Sequence, residues 1–387
     1  MYVPKNINEV TEMARSIATT VLAEDAAQVD REAMWPERGI RALQASGLGG
    51  LLIPQAWGGA GQGLKSLLIV CEELGRECPS SALAFGMHCV GSAVIAARAT
   101  PKQAEDILTP IAMGEHLTTL ALSEPGTGSY FYYPQTKIEK DDDESYLLTG
   151  TKSFVTNGGH ADSYVVSGLA PLINFEQPEY SCVVVPHNAE GLKWSPSWAG
   201  MGMRGNSSIK LELNRVRVSK DKLLGSEGDQ IWYFFNVIAP YFLTAMAGTY
   251  LGIAKGAFDD AISHIKNRSY SHSGVNLSEA SVIQHRIGKL FGLLESTRCL
   301  AISAAEKLDM GDDTLPSILS SKAEVADCAV EMVNECMTLI GGVGYGKQGR
   351  MQQRLRDVRA AHVMAPTTDL LRIWAGRALL DEPLLKE

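Results

Sequence analysis

Two short segments carry the residues best suited to chemistry. One reads Ala121-Leu122-Ser123-Glu124-Pro125-Gly126-Thr127-Gly128-Ser129, and the other Leu148-Thr149-Gly150-Thr151-Lys152-Ser153-Phe154-Val155-Thr156-Asn157-Gly158. Both lie in a stretch of two-residue alternation, and both end in small or hydroxylated residues. Strand ends of this kind bring backbone N–H groups and hydroxyls close to a flat polar ring. Such a ring, if it accepts hydride, needs donors where negative charge develops and an apolar cover on one face. Ser123 and Thr156 carry hydroxyls and Phe154 an apolar ring, although taken singly Phe154 and Thr156 read as ordinary strand residues.

The elements that must position these segments fall into three parts. Residues 1–116 read as a helical domain, with Val10, Met13, Ala14, Ile17 and Val21 at helical spacing. Further helices are expected over Leu64–Cys78, Ser81–Arg98 and Lys102–Ile111, the last opened by a Thr100-Pro101 cap signal. Residues 117–226 change to period two, with strands expected at 146–148, 164–166, 182–185 and 209–213. The acidic run Asp141-Asp142-Asp143-Glu144 marks a solvated turn. Residues 227–387 return to helical spacing in four long segments, 237–266, 281–308, 315–339 and 367–380. Helices, a β-domain, then a helical bundle is an α+β arrangement.

Composition narrows the function. The 387 residues are 45% hydrophobic and 20% charged, enough for a large core. A net charge of −9 argues against a general nucleic-acid or anionic-membrane binder. The seven cysteines are scattered with no Cys-x-x-Cys pair, so neither zinc nor any other metal site is expected. They fit reduced thiols. The N-terminus looks like neither a secretory signal nor a transit peptide, and no stretch reaches the ~18 apolar residues of a membrane span. A soluble cytoplasmic protein is expected.

The two opening segments occur with two more in a fixed order. The third is Gly202-Met203-Arg204-Gly205-Asn206-Ser207-Ser208, leading to Val216-Arg217-Val218 and Leu223-Leu224-Gly225. The fourth is Ile340-Gly341-Gly342-Val343-Gly344-Tyr345, followed by Arg356-Asp357. This series, over nearly the whole chain, resembles the acyl-CoA dehydrogenase superfamily. The resemblance implies an N-terminal helical domain, a β-barrel-like middle domain and a C-terminal four-helix bundle. It implies FAD as cofactor and oxidation of the CH–CH group of an acyl thioester carried by CoA or an acyl carrier protein. Electrons would pass to an electron-transfer flavoprotein or to O2, and the assembly would be a homotetramer formed as a dimer of dimers.

Residue by residue, the resemblance places Leu122, Ser123, Phe154 and Thr156 at the flavin ring. Ser129 falls at the thioester or phosphate region. Tyr130, first of the run Tyr130-Phe131-Tyr132-Tyr133, either lines the substrate entrance or packs in the sheet. Arg268 and Gln284 match residues at the pyrophosphate and beyond. Thr338 replaces the family's glutamine before Gly341 and Gly342, and Thr367 matches a position near the adenosine, with Asp369 beside it in the first turn of the last helix. Arg204 and Arg217 are expected to be structural, His88 a satisfied core histidine, and Gly248 and Gly252 a close helix contact.

The family's catalytic glutamate falls on Ala365, eight residues after Asp357. The alternative location, on the first long C-terminal helix, falls in Ala239–Leu243, again without a carboxylate. Asp369 and His362 are the nearby groups that a relocated base could use, though Asp369 also suits the helix dipole. A base-less monooxygenase or oxidase, or a carbon–sulfur-cleaving enzyme on the same fold, is the alternative to a dehydrogenase. A non-catalytic scaffold is a third reading.

Overall fold

A computed structural model describes residues 2–128, 130, 133–170, 180–312, 315–347 and 349–385. The chain opens with α1 (Ile7–Ile17), α2 (Ala23–Glu32), α3 (Glu37–Ala45), α4 (Leu64–Glu77) and α5 (Pro79–Ala97). Asn6 caps α1 by accepting from the N–H groups of Asn8 and Glu9. Thr100 and Gln103 form a reciprocal capping box at the start of the next helical run, with Pro101 at its first position. That run extends through Ala112, passing through one π-helical turn at Ala104–Leu108.

Strands follow: β1 (Thr118–Ala121), β2 (Lys137–Asp142), β3 (Ser145–Val155), β4 (Ser163–Leu169), β5 (Tyr180–Pro186), β6 (Leu192–Trp194), β7 (Ile209–Ser219) and β8 (Leu223–Leu224). They form one sheet in the order β6-β7-β3-β2-β4-β5-β8, and β1 pairs in parallel with β4. The β2–β3 hairpin turns within the acidic run, where Asp142 accepts from the Glu144 N–H and the Ser145 hydroxyl.

The chain then returns to helix: α6 (Ala239–Asn267), α7 (Ser281–Asp309), α8 (Leu315–Ile340), α9 (Arg350–Val358) and α10 (Thr368–Leu379). A π-helical turn, Phe234–Ile238, leads directly into α6. Helix α6 is the spine of the molecule, packed against α4, α5 and α8. The α4–α6 contact explains two glycines. A Cβ at Gly248 would lie 2.3 Å from the Leu68 carbonyl oxygen, and one at Gly252 2.3 Å from that of Glu72. Only glycine admits backbones this close.

Two helical stretches, Pro79–Ala97 and Ile231–Asn267, are long and apolar enough to cross a membrane, contrary to the sequence expectation. Their apolar windows are 83% and 89% buried inside the fold, so both are core helices. Six cysteines are buried, Cys299 is exposed, and all are free thiols. His88 is a satisfied core histidine: its ring bonds the Gly49 carbonyl at 2.9 Å and accepts the Thr118 N–H at 3.1 Å. Burial holds its pKa below the usual histidine value. Arg204 ties the sheet domain to the Asp30 carbonyl, and Arg217 clasps Asp142.

Candidate active site

The two opening segments meet directly. The Ser153 N–H donates to the Ser123 carbonyl at 2.7 Å. Beyond this contact β3 is irregular. Lys152 pairs with Leu211 and Val155 with Ile209, so β3 carries one more residue than β7 across the same step. This is a β-bulge. Phe154 sits in it at φ 55, a left-handed conformation that costs a non-glycine residue on the order of 1–2 kcal/mol. The bulge turns the ring out of the sheet: Phe154 is 65% exposed and meets Trp198 edge to face at 5.9 Å. Strain held in place at an exposed aromatic ring makes the bulge a candidate functional feature.

The next residues lock this end of the sheet. The hydroxyls of Thr156 and Ser208 lie 2.9 Å apart, and Thr119 donates to the Thr156 carbonyl. Asn157, also at positive φ, accepts from the Trp35 indole at 2.9 Å and donates to the Ala84 carbonyl at 2.8 Å. The N-terminal helices are thereby keyed to the bulge.

A cavity of about 750 Å³ opens here. Its sheet wall holds Leu122, Ser123, Glu124, Ser153, Phe154 and Thr156. A loop wall holds Trp198, Met201, Met203, Asn206 and Ser208. The helical wall holds Leu83 and Met87 of α5, Phe234, Ile238, Ala239 and Phe242, with Ala360 and Val363 to Pro366 beside them, Ala365 included. Leu83 and Met87 are four residues apart, as are Phe234, Ile238 and Phe242, so each set falls on one helix face. The π-helical turn carries Phe234 and Ile238.

Glu124 is the one carboxylate among the described lining residues. It is already committed, 2.6 Å from the Lys152 ammonium and bonded to the N–H groups of Gln135 and Thr136. Of the two arginines at the wall, Arg356 forms a two-pronged pair with Asp30 at 2.9 and 2.6 Å. Arg359 lies 3.3 Å from His362. Behind the wall, burial pushes the Asp357 carboxyl up to about 6, even though one oxygen accepts the Met203 N–H at 2.6 Å.

Ala365 lines the cavity, followed by Pro366. The run from 361 to 366 is pinned from below by Lys322 of α8. Its ammonium donates to the carbonyls of Ala361 at 2.9 Å and Pro366 at 3.1 Å. Burial pulls this lysine down to about 8.

The other expected site residues divide clearly. Neither His362 nor Asp369 is on the cavity wall. His362 is held in a surface ion cluster, 2.9 Å from Asp327, which also binds Arg372. Asp369 is exposed in the first turn of α10, where a carboxylate suits the dipole, and Thr367 is that helix's N-cap residue. Arg268 ends α6 and is exposed; Gln284 bonds the Ser278 carbonyl; Thr338 bonds the Asn334 carbonyl. Gly341, at φ 74, and Gly342 face open space, and a Cβ at either would have no described neighbour within 4 Å. None of these eight lines the cavity of a single chain. Ser129, Phe131 and Tyr132 lie outside the described residues. Tyr130 is exposed, two residues from Gly128 on the wall.

The donor set suits a flat heteroaromatic ring. An apolar face (Phe154) stands beside hydroxyls (Ser123, Thr156). The buried amide nitrogen of Asn206, another lining residue, has no hydrogen-bond partner among the described residues. A buried unmet donor of this kind is costly unless a ligand or water satisfies it.

The comparisons with known proteins show the family. Residues 5–115 match the N-terminal domain of acyl-CoA dehydrogenases, 119–216 the middle domain, and 244–380 the C-terminal domain. The chain belongs to the acyl-CoA dehydrogenase family. The cyclohex-1-ene-1-carbonyl-CoA dehydrogenase of Geobacter metallireducens is 30% identical over 95% of this chain and 96% of its own length. That organism's cyclohexane-1-carbonyl-CoA dehydrogenase is 30% identical, covering 98% of each chain. The butyryl-CoA dehydrogenase of Megasphaera elsdenii matches with a TM-score of 0.91 at 24% identity, over 98% of this chain and 100% of that one. As a member of the family, the chain is an FAD-dependent flavoprotein oxidoreductase of the type acting on CH–CH groups.

Trp198, Met87 and Phe234 were not singled out by sequence reasoning. Each reaches the cavity through tertiary packing and carries no local signal beyond being apolar.

Proposed function

We propose that this protein oxidises the CH–CH group of an acyl thioester, presented on CoA or an acyl carrier protein, without a carboxylate of its own at the substrate's α-carbon. The observation that carries the reading is a single cavity shared by Phe154, Thr156 and Ala365. Bound FAD supplies the hydride acceptor. Phe154 gives its ring an apolar plane, and Ser123, Thr156 and Asn206 offer donors at its polar edge. Leu83, Met87, Phe234, Ile238 and Phe242 receive an uncharged acyl group, in keeping with the alicyclic acyl groups named for the two Geobacter relatives.

No side chain in this arrangement takes the α-proton. Ala365 and Ala239 supply methyl groups, and the Glu124 carboxylate is held by Lys152. The proton therefore leaves to solvent or to a basic group of the substrate, which favours a substrate already acidified at that carbon.

The ADP end of FAD is assigned to Arg268, Gln284, Thr338, Gly341, Gly342 and Thr367, with Asp369 nearby, completed by a second copy of the chain. Exposed apolar groups along the same elements support that assembly: Phe291 on α7 is 56% exposed, and Tyr345 after α8 is 80% exposed. A homotetramer is the proposed state, and an electron-transfer flavoprotein or O2 the electron acceptor.

The test is anaerobic mixing of the FAD-loaded protein with a panel of CoA and acyl-carrier thioesters. Bleaching of the flavin band by one of them supports the reading. Absence of bleaching, with product formed only from pre-reduced flavin and O2, replaces it with the monooxygenase.

A further inference from the structure

The two segments that build the ring-facing wall are joined by a buried ion pair that the mechanism above does not use. Lys152 is fully buried and Glu124 nearly so. Every ammonium proton is engaged: Glu124 at 2.6 Å, the Ser167 hydroxyl at 3.1 Å and the Leu122 carbonyl at 3.2 Å. Both carboxylate oxygens of Glu124 also accept backbone N–H groups, from Gln135 at 2.6 Å and Thr136 at 3.1 and 3.2 Å. Burial works against the Glu124 carboxylate, but Lys152 and these donors outweigh it and hold its pKa below the usual value.

A pair this deep is a poor device for stability alone, since well-packed apolar residues often do as well or better. Its location suggests another use. Glu124 lines the cavity, whereas Lys152 stands behind the wall and fixes the Leu122 carbonyl, one residue before Ser123. Lys152 also directly precedes the Ser153–Phe154 bulge. The pair thus sets a charge balance and a backbone position at the same wall.

We infer that Lys152 and Glu124 are positioning residues that tune the reduction potential of FAD bound in this cavity. The inference rests on the assignment of the ring to this wall. Reduced flavin carries more negative charge than oxidised flavin, so charge near the ring shifts the balance between them. Without Lys152, the Glu124 carboxylate faces the cavity uncompensated and disfavours the reduced form. Without the Glu124 charge, Lys152 favours it.

The experiment measures the FAD midpoint potential by dye-coupled reduction, with FAD affinity by fluorescence, in wild type, Lys152→Met, Glu124→Gln and the double variant. Lys152→Met is expected to shift the potential negative and Glu124→Gln to shift it positive, with the double variant returning toward wild type. Three FAD-loaded variants at the wild-type potential would overturn the inference while leaving the FAD site intact. So would a double variant displaced as far as Lys152→Met. If Lys152→Met does not fold, a positive shift in Glu124→Gln that the double variant removes still decides. Failure of all three to fold would make the pair a support of the fold alone and overturn the inference. A wild-type protein that takes up no FAD would instead overturn the site assignment.

Discussion

Ser153 donates its backbone N–H to the carbonyl of Ser123 at 2.7 Å, joining strand β3 to the loop that follows β1. One residue further on, the β3 bulge presents Phe154. The adjacency follows from sheet topology. Strand β1 pairs with β4 and β3 with β7, which leaves the end of β1 beside the irregular end of β3.

Phe154→Ala is expected to leave thermal stability close to wild type, because the ring is mostly exposed and packs edge to face on Trp198 alone among the described aromatic contacts. It should weaken FAD binding about five-fold, the equivalent of ~1 kcal/mol of aromatic contact. Phe154→Trp should retain affinity. Titration of the apoprotein with FAD, followed by fluorescence quenching, checks both.

Lys322 makes stability depend on pH in a window that can be isolated. The folded protein releases this proton near pH 8, pulled down by burial, whereas an unfolded lysine holds it to about 10.5. Between those values the unfolded chain binds more protons, so this residue's contribution to stability rises with pH. The burial penalty is full below pH 8 and gone above about 10.5. The difference in unfolding free energy between wild type and Lys322→Met should therefore change by on the order of 3 kcal/mol across the window. Urea titrations at pH 7.5 and 10.5 measure it, and equal differences at both values contradict the assignment.

Arg268→Ala should lower FAD retained after dialysis without changing the fold, since its side chain is exposed at the end of α6. Phe291→Glu should reduce FAD retention indirectly by splitting the assembly. Light scattering reads the second effect, and an FAD-replete Phe291→Glu monomer would contradict completion of the site by a second copy.

The sequence made the layers legible because each is written in local periodicity. The helical spacing of α4, α6 and α8, the alternation in β7, the strands β4 and β5, here buried on both faces, and the Thr100-Pro101 cap all appear in the structure within a few residues. Gly248 and Gly252 could be read because i, i+4 glycines in an apolar helix have few other uses. The bulge at Phe154 was hidden, since it is a register difference between β3 and β7 and belongs to neither strand alone. The short helix α9, bearing Arg356 and Asp357, was also not anticipated: its polar sequence gives little apolar spacing, and contacts such as Arg356–Asp30 hold it. His362 and Asp369 could be counted from Ala365 along the chain, but only the turn into α10 shows that neither is on the cavity wall.

The central claim is an FAD cavity whose position 365 bears a methyl group where a carboxylate would take the substrate's α-proton. Stopped-flow reduction of the FAD-loaded protein by a saturated alicyclic acyl-CoA, compared between wild type and Ala365→Glu, tests it most directly. The account predicts reduction at least about ten-fold faster in Ala365→Glu, with a pH dependence governed by a new carboxylate. Equal rates in the two proteins, or a slower variant that still binds FAD and thioester, would contradict it.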